Sequence, residues 1–232
     1  MFWQEDENNE TLPIPDDIID LAFTLTCREL PVDHGYALGS ALIKALPLLG
    51  EDERIAIHSI YLAGSQNGWA RPDPDLGQKL ILSKRTRLTL RIPKEHQATI
   101  QDTLQGVTLD IDGHTLAIGQ AKSKPLSRQD TLFARYIVLH ANESKDENSF
   151  LERIMEHLKS RKLSAPKALC GTIQHLHTPA GLLATRSLML AGLTASQTIP
   201  LQQQYIGQHH HMGCGIFIPH KGIEAIQPLA DT

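Results

Sequence analysis

Apolar and polar positions alternate through "IIDLAFTLTC" (residues 18–27), which predicts a strand with one buried face. After "RELPVDHG" the spacing changes. Ala37, Leu38, Ala41, Leu42, Ala45 and Leu46 recur at helical intervals and predict a helix that stops near Pro47 and Gly50. "RIAIHSIYLAG" predicts a strand, "SQNGWARPDPDLG" a loop, and "KLILSKRTRLTLRI" one long strand or two broken ones. "PKEHQATIQDTLQG" has proline at the first helical position and glycine just past the end, the usual asymmetry of a helix. "VTLDIDGHTLAIG" predicts a hairpin turning on Asp112-Gly113.

The same order returns in the second half. "DTLFARYIVLHA" predicts a strand, and "ENSFLERIMEHLKSRK" a helix with Phe150, Ile154 and Leu158 on its apolar face. "ALCGTIQHLHT" and "GLLATRSLMLAGL" predict a strand pair about Pro179-Ala180-Gly181. "TASQTIPLQQQ" predicts a short helix opened by Thr194 or Ser196, and "CGIFIPH" a closing strand. Each half therefore reads β-α-β-β-α-β. The expected class is α+β, with tandem ferredoxin-like (RRM-like, βαββαβ) domains. The expected bounds are an acidic flexible tail over 1–17, an N-terminal domain over 18–125 and a C-terminal domain over 126–232, the last carrying a glycine-rich loop at 207–215.

Composition changes this picture mainly through charge. The chain of 232 residues has a formal net charge of −4, which argues weakly against a nucleic-acid partner. Yet seven of its 26 acids (Glu5, Asp6, Glu7, Glu10, Asp16, Asp17 and Asp20) lie in the first twenty residues. That leaves 19 against 22 bases, all of them further on. Five bases and no acid lie between Lys79 and Arg91. Segregated positive charge suits a phosphate-bearing partner, and equally a strand edge protected by cations. Aromatic content of 5% argues against recognition by stacking many single-stranded bases; Trp3 and Trp69, both in predicted loops, could cap the end of a stem. Cys27, Cys170 and Cys214 are odd in number and widely spaced, as expected of reduced cytoplasmic thiols. The acidic, polar opening "MFWQEDENNE" is not expected to act as a secretory signal, and no apolar run is long enough to span a membrane.

Two stretches carry candidate chemistry. In "YIGQHHHMGCGIFIPH", His209, His210 and His211 stand between Gly207, Gly213 and Gly215. Adjacent side chains alternate direction in an extended segment and fan out by about 100° in a helix, so the run is a poor tetrahedral zinc site, and no metal is expected. The glycines could instead shape a loop whose successive N–H groups hold a phosphate, with the histidines as added donors. A glycine-rich bulge with surface histidines fits the same letters. The second stretch is "CRELPVDHGYALGSAL". His34 falls at the predicted start of the first helix with Asp33 available as a cap, where helix N–H groups attract phosphate and a histidine can move a proton. It can equally be a histidine packed at a turn. Tyr36 joins such a site only if the helix begins after it.

"LPVDHGYALGSAL", "LSKRTRLTLRIP", "LQGVTLDIDGHTLAIG" and "GQHHHMGCGIFIPHKG" resemble the CRISPR repeat-processing endoribonuclease family of the RAMP superfamily, in its myxobacterial-type form, from about Ile18 to Lys221. The resemblance implies a catalytic histidine near the first helix, by position His34; Tyr36 is, from its spacing alone, a helper at best. It implies RNA contact by the glycine-rich loop and cleavage without a metal or other cofactor, leaving a 5′-hydroxyl and a 2′,3′-cyclic phosphate. It further implies a stem-loop of CRISPR repeat RNA as substrate and other effector-complex subunits as partners, in the cytoplasm. The loops of the family usually carry arginine or lysine where this chain has histidines. Beside this, the alternation "RTRLTLR" places Arg85, Arg87 and Arg91 on one face of a strand, a line of guanidiniums suited to phosphates of an RNA stem. The competing expectation is a repeat-RNA-binding scaffold that has lost cleavage.

Overall fold

The computed structural model describes residues 14–61, 78–143 and 146–220. The acidic segment before residue 14, the loop around Trp69 and the chain after residue 220 lie outside the described residues.

The first half is a five-stranded sheet covered on one side by helices. It comprises β1 (Ile18–Thr26), β3 (Ala56–Ile57), β5 (Arg87–Pro93), β6 (Thr108–Ile111) and β7 (His114–Lys124), in the order β3-β5-β1-β7-β6. A separate two-stranded ribbon pairs β2 (Glu29–Pro31) with β4 (Lys79–Ile81), so "KLILSKRTRLTLRI" is two strands. Alternation does the sorting. Leu21, Phe23, Leu88, Leu90, Ile92, Leu116 and Ile118 point to one side of the sheet. There they meet Leu38 and Leu42 of α1 (Gly35–Ala45), Leu49 of α2 (Leu48–Glu51), and Ile100 and Leu104 of α3 (Gln97–Leu104).

Proline does not open α3. Pro93, with ψ 135°, ends β5 in extended geometry, and a 3-10 turn at Lys94–His96 leads into the helix. Asp112 and Gly113 both have positive φ, as a two-residue hairpin of this twist requires.

The second half is a four-stranded sheet in the order β11-β8-β10-β9. It comprises β8 (Leu132–Val138), β9 (Lys167–Thr178), β10 (Gly181–Ala191) and β11 (Phe217–Pro219). This order is that of a ferredoxin-like fold. Its helices α4 (Glu147–Ser160) and α5 (Ala195–Gln203) pack on one side. Phe150, Ile154 and Leu158 of α4 are all buried there. Asp146 caps α4 by accepting from Asn148 N, and Thr194 opens α5 with a capping box closed by Gln197. Among the described residues no helix is long and apolar enough to cross a membrane.

The halves meet through Arg91. Its side chain is fully buried, with Nε and Nη2 donating to the two carboxylate oxygens of Asp20 at 2.8 and 3.0 Å. Its Nη1 donates to the backbone oxygens of Gln202 and Phe217, at 2.9 and 2.8 Å, in the other half. This corrects the expectation that Arg91 faces RNA. The open face of the first sheet is covered at that end, and the guanidinium is consumed by protein acceptors. The expected tail is also shorter than residue 17. Asp16 pairs with Lys94, Asp17 O accepts from Lys94 N, and Asp17 Oδ1 accepts from Gln203 across the halves.

Removing one partner of a buried ion pair leaves an unpaired charge at a typical cost of about 3–5 kcal/mol. Arg91→Ala should lower the unfolding free energy by that order in urea titrations. Arg85→Ala, in an exposed turn, should leave it within about 0.5 kcal/mol.

Candidate functional site

The C-terminal loop runs from the end of α5 to β11 and lies across α1. Its backbone is locked by a left-handed His209 (φ 64°), a 3-10 turn at His210–Met212, and Gly213 and Gly215 at φ 88° and 69°. A Cβ on Gly213 would stand 2.2 Å from Ser59 Oγ, and one on Gly215 would stand 2.2 Å from the Ile206 carbonyl oxygen. These glycines are needed because backbone meets protein there, in a conformation other residues resist. The N–H groups are spent internally: Met212 N and Cys214 N donate to His209 O, Gly213 N to His210 O, and Gly215 N to Tyr136 O. The expected phosphate cradle at Gly213 and Gly215 is therefore not present. Gly207, at φ 81°, is exposed with open space on its Cβ side.

The histidine run divides in the same way. His209 is exposed. His210 stacks on Tyr205 at 5.0 Å between ring centroids, and His211 meets His210 edge-on at 4.5 Å. Burial pushes His210 down to about 4 and lowers His211 as well. Both rings favour the neutral form, and both ring nitrogens of His210 and Nε2 of His211 are buried, which corrects their assignment as donors to RNA. Cys214 is buried among Tyr136, Leu176 and Met212, and burial pushes its thiol up to about 12. Among the described residues the only convergent group of possible metal ligands is Asp52, Glu95 and His96. Both of its carboxylates are bonded by the Arg54 guanidinium.

What the loop rests on is a notch in α1. The His211 carbonyl oxygen lies where a Cβ on Gly39 would be 2.4 Å away, and the Met212 carbonyl where one on Gly35 would be 2.6 Å away. The i, i+4 pair in "GYALG" is a legible signal for close backbone approach on one helix face.

His34 caps this helix with its backbone alone and is 3% exposed. The Pro31 carbonyl can only accept, so Nδ1 donates to it, at 2.9 Å. Nε2 in turn accepts from Ile60 N at 3.0 Å. Both ring nitrogens are engaged with backbone, and the expected proton-transfer role is not served by this arrangement. His34 fixes the turn into α1 to the irregular stretch just after β3. His58 is likewise buried; desolvation pushes it down to about 4, with Asp20 opposing at 3.7 Å. Tyr36 is in the first turn of α1 and 41% exposed.

Asp33, expected to cap α1, is turned away to β9. Its Oδ2 accepts from His177 N at 2.6 Å and from His177 Nδ1 at 2.9 Å. The His177 side chain is 75% exposed and that of Asp33 only 12%. Sequence reasoning missed this pair. With twelve histidines and a partner 144 residues away, no local pattern picks His177 out.

Of the expected line of guanidiniums, Arg85 lies in an exposed turn. Arg87 starts β5, its Nη1 folded onto the oxygens of Lys84 and Thr86. Register adds cations from β7 that sequence could not place: Lys122 lies opposite Ala22, which is opposite Thr89, and Lys124 lies opposite Asp20.

The family model described as "Cas6 Crispr" matches residues 19–222. The chain belongs to that family. It is 29% identical over 201 residues to the CRISPR-associated endonuclease Cas6 of Myxococcus xanthus (strain DK1622), covering 87% of this chain and 81% of that protein. Among solved structures, one titled CRISPR associated protein Cas6 superposes with a TM-score of 0.54 at 11% identity, over 88% of this chain and all of the other. A CRISPR endoribonuclease Cse3 bound to a 19-nucleotide RNA gives 0.46 at 12%, over 86% and 97%. The fold shared with that Cas6 structure is the pair of ferredoxin-like halves described above.

The neutral buried histidines set a pH dependence. His58 and His210 have folded values near 4, below the ordinary 6.5, so unfolding takes up a proton at each. Their contribution is complete above about pH 6.5 and is lost as pH falls toward 4. Urea midpoints measured from pH 7.5 to 4.5 should fall through that window, and His58→Gln should flatten the slope by about one proton.

Proposed function

We propose that this chain is an endoribonuclease that binds the stem-loop of CRISPR repeat RNA and cuts precursor CRISPR RNA without a metal. Membership of the family over residues 19–222 carries the reading, and the relative named an endonuclease supports it. In the proposed step the ribose 2′-oxygen attacks its neighbouring phosphorus, forming the O2′–P bond as the P–O5′ bond breaks. The 2′-hydroxyl proton passes to a base and the 5′-oxygen gains one. The products are a 2′,3′-cyclic phosphate and a 5′-hydroxyl. Because the substrate supplies the nucleophile, the protein must only orient the dinucleotide, move protons and hold charge.

The open face of the first sheet supports RNA contact. Arg87, Lys122 and Lys124 stand on it or at its rim, Arg85 lies at the turn that leads into it, and exposed Gly207 and His209 mark the outer arc of the loop. Tyr36 offers a hydroxyl beside the start of α1. Retention of the cut RNA and membership of an effector complex complete the reading.

One observation favours a second reading, a repeat-RNA-binding scaffold without cleavage: both nitrogens of His34 are tied to backbone. A cleavage assay in EDTA on repeat RNA from the same genome separates the two, with a 2′-deoxy nucleotide at the cut site as control. The nuclease should cut the all-ribose RNA in EDTA and spare the deoxy one; binding without cutting marks the scaffold. Lys122→Ala should weaken RNA binding and reduce the slope of log K against log salt by about one.

A further inference from the structure

Resting on the nuclease reading, we infer that His177, oriented by Asp33, is the catalytic base of this site, its Nε2 accepting the 2′-hydroxyl proton. The bond from Nδ1–H to Asp33 Oδ2 at 2.9 Å fixes the proton on Nδ1, so the lone pair lies on Nε2, on a side chain 75% exposed. A second bond, from His177 N to the same oxygen at 2.6 Å, holds the strand and the carboxylate together.

An ordinary surface ion pair does not account for this arrangement. Asp33 is 12% exposed, and its other oxygen, Oδ1, is buried with no hydrogen-bond partner. A half-satisfied carboxylate beneath an exposed imidazole costs stability, and an exposed pair returns little of it. Such exceptions concentrate where a side chain must be aimed. The surroundings fit RNA. Among the described residues β9 is an edge strand, and no strand of its own sheet covers the outer side of His177. β1 runs toward Thr26 and β5 begins at Arg87 opposite Thr24, so Arg85, Arg87 and the loop carrying Asp33 lie at the same end of the first sheet. The proton balance is closed by solvent: His177 takes the 2′-hydroxyl proton as O2′ bonds phosphorus, the P–O5′ bond breaks, and water protonates the departing 5′-oxygen. The imidazolium then returns its proton to water.

The test is single-turnover cleavage and filter binding of the same repeat RNA in EDTA by wild type, His177→Ala, Asp33→Asn and His34→Gln. His177→Ala should bind as wild type, keep its melting temperature, cut at least about 10²-fold more slowly, and regain cleavage in added imidazole. Asp33→Asn, which can leave the proton on the wrong nitrogen, should slow cleavage while leaving RNA affinity unchanged. On a substrate with sulfur in place of the bridging 5′-oxygen, the His177→Ala defect should persist, since a better leaving group does not replace a base. If that defect vanishes, the group is an acid and the assignment falls. A wild type that cuts while His177→Ala cuts equally fast overturns this inference alone. So does a folded His34→Gln that binds but does not cut beside an active His177→Ala. A wild type that binds without cutting overturns the nuclease reading and this inference with it.

Discussion

The Arg91 guanidinium fixes how the two halves stand. Its fork engages both oxygens of Asp20 within the first sheet, and its remaining nitrogen reaches two backbone oxygens of the second half. A buried charge is tolerated only where its donors are met, and here acceptors from both halves are required to meet them. Displacing the second half would strand the arginine. Gln202 extends the same seam, its side chain bonding Ser127 N and O while its own carbonyl serves Arg91. The orientation of β11 and of the loop before it is therefore set from a residue in β5.

With that orientation fixed, the loop has one place to lie. Two helix glycines four apart let carbonyls of the 3-10 turn approach α1 at distances no Cβ would permit. The His211 and Met212 carbonyls face the helix, and the amides of Met212, Gly213, Cys214 and Gly215 are bonded within the loop or to Tyr136, so that stretch does not turn its N–H groups outward. Its histidines follow the same logic. His210 stacks on Tyr205, His211 meets it edge-on, both half-buried, and of the three only His209 is exposed. The cations come instead from the sheet, where neighbouring strands bring together residues such as Arg87 and Lys122.

Element order was legible because periodicity is local: β1 alternates, α4 repeats Phe150, Ile154 and Leu158, and the turn at Asp112-Gly113 announces itself. Site membership was not. Arg91 shares its alternation with Arg87, and nothing in "RTRLTLR" says that the second half covers one end of the strand and leaves the other open. Burial of His34 depends on a carbonyl three residues back and an amide 26 residues on, and the second of these has no sequence signature. His177 and Asp33 meet only after both halves have folded and docked. What could have been read is the pair Gly35 and Gly39, whose spacing foretells a close neighbour without naming it.

The two histidines beside α1 divide the work of a helix start between them. His34 is held by backbone on both ring nitrogens, and a ring in that state positions the chain: the entry to α1 cannot shift without breaking the bond to Ile60 N. That immobility passes one residue back to Asp33, whose carboxylate is thereby fixed against the edge of β9. An exposed imidazole is ordinarily free to turn about two torsions, and ordering it has an entropic cost. Bonding both its ring and its own backbone N–H to one immobile oxygen removes that freedom before any substrate arrives. In the proposed reaction, whose nucleophile belongs to the substrate, a proton acceptor that is already aimed supplies orientation without further ordering. On the proposed assignment the buried histidine and the exposed one act together: the first holds still what the second needs.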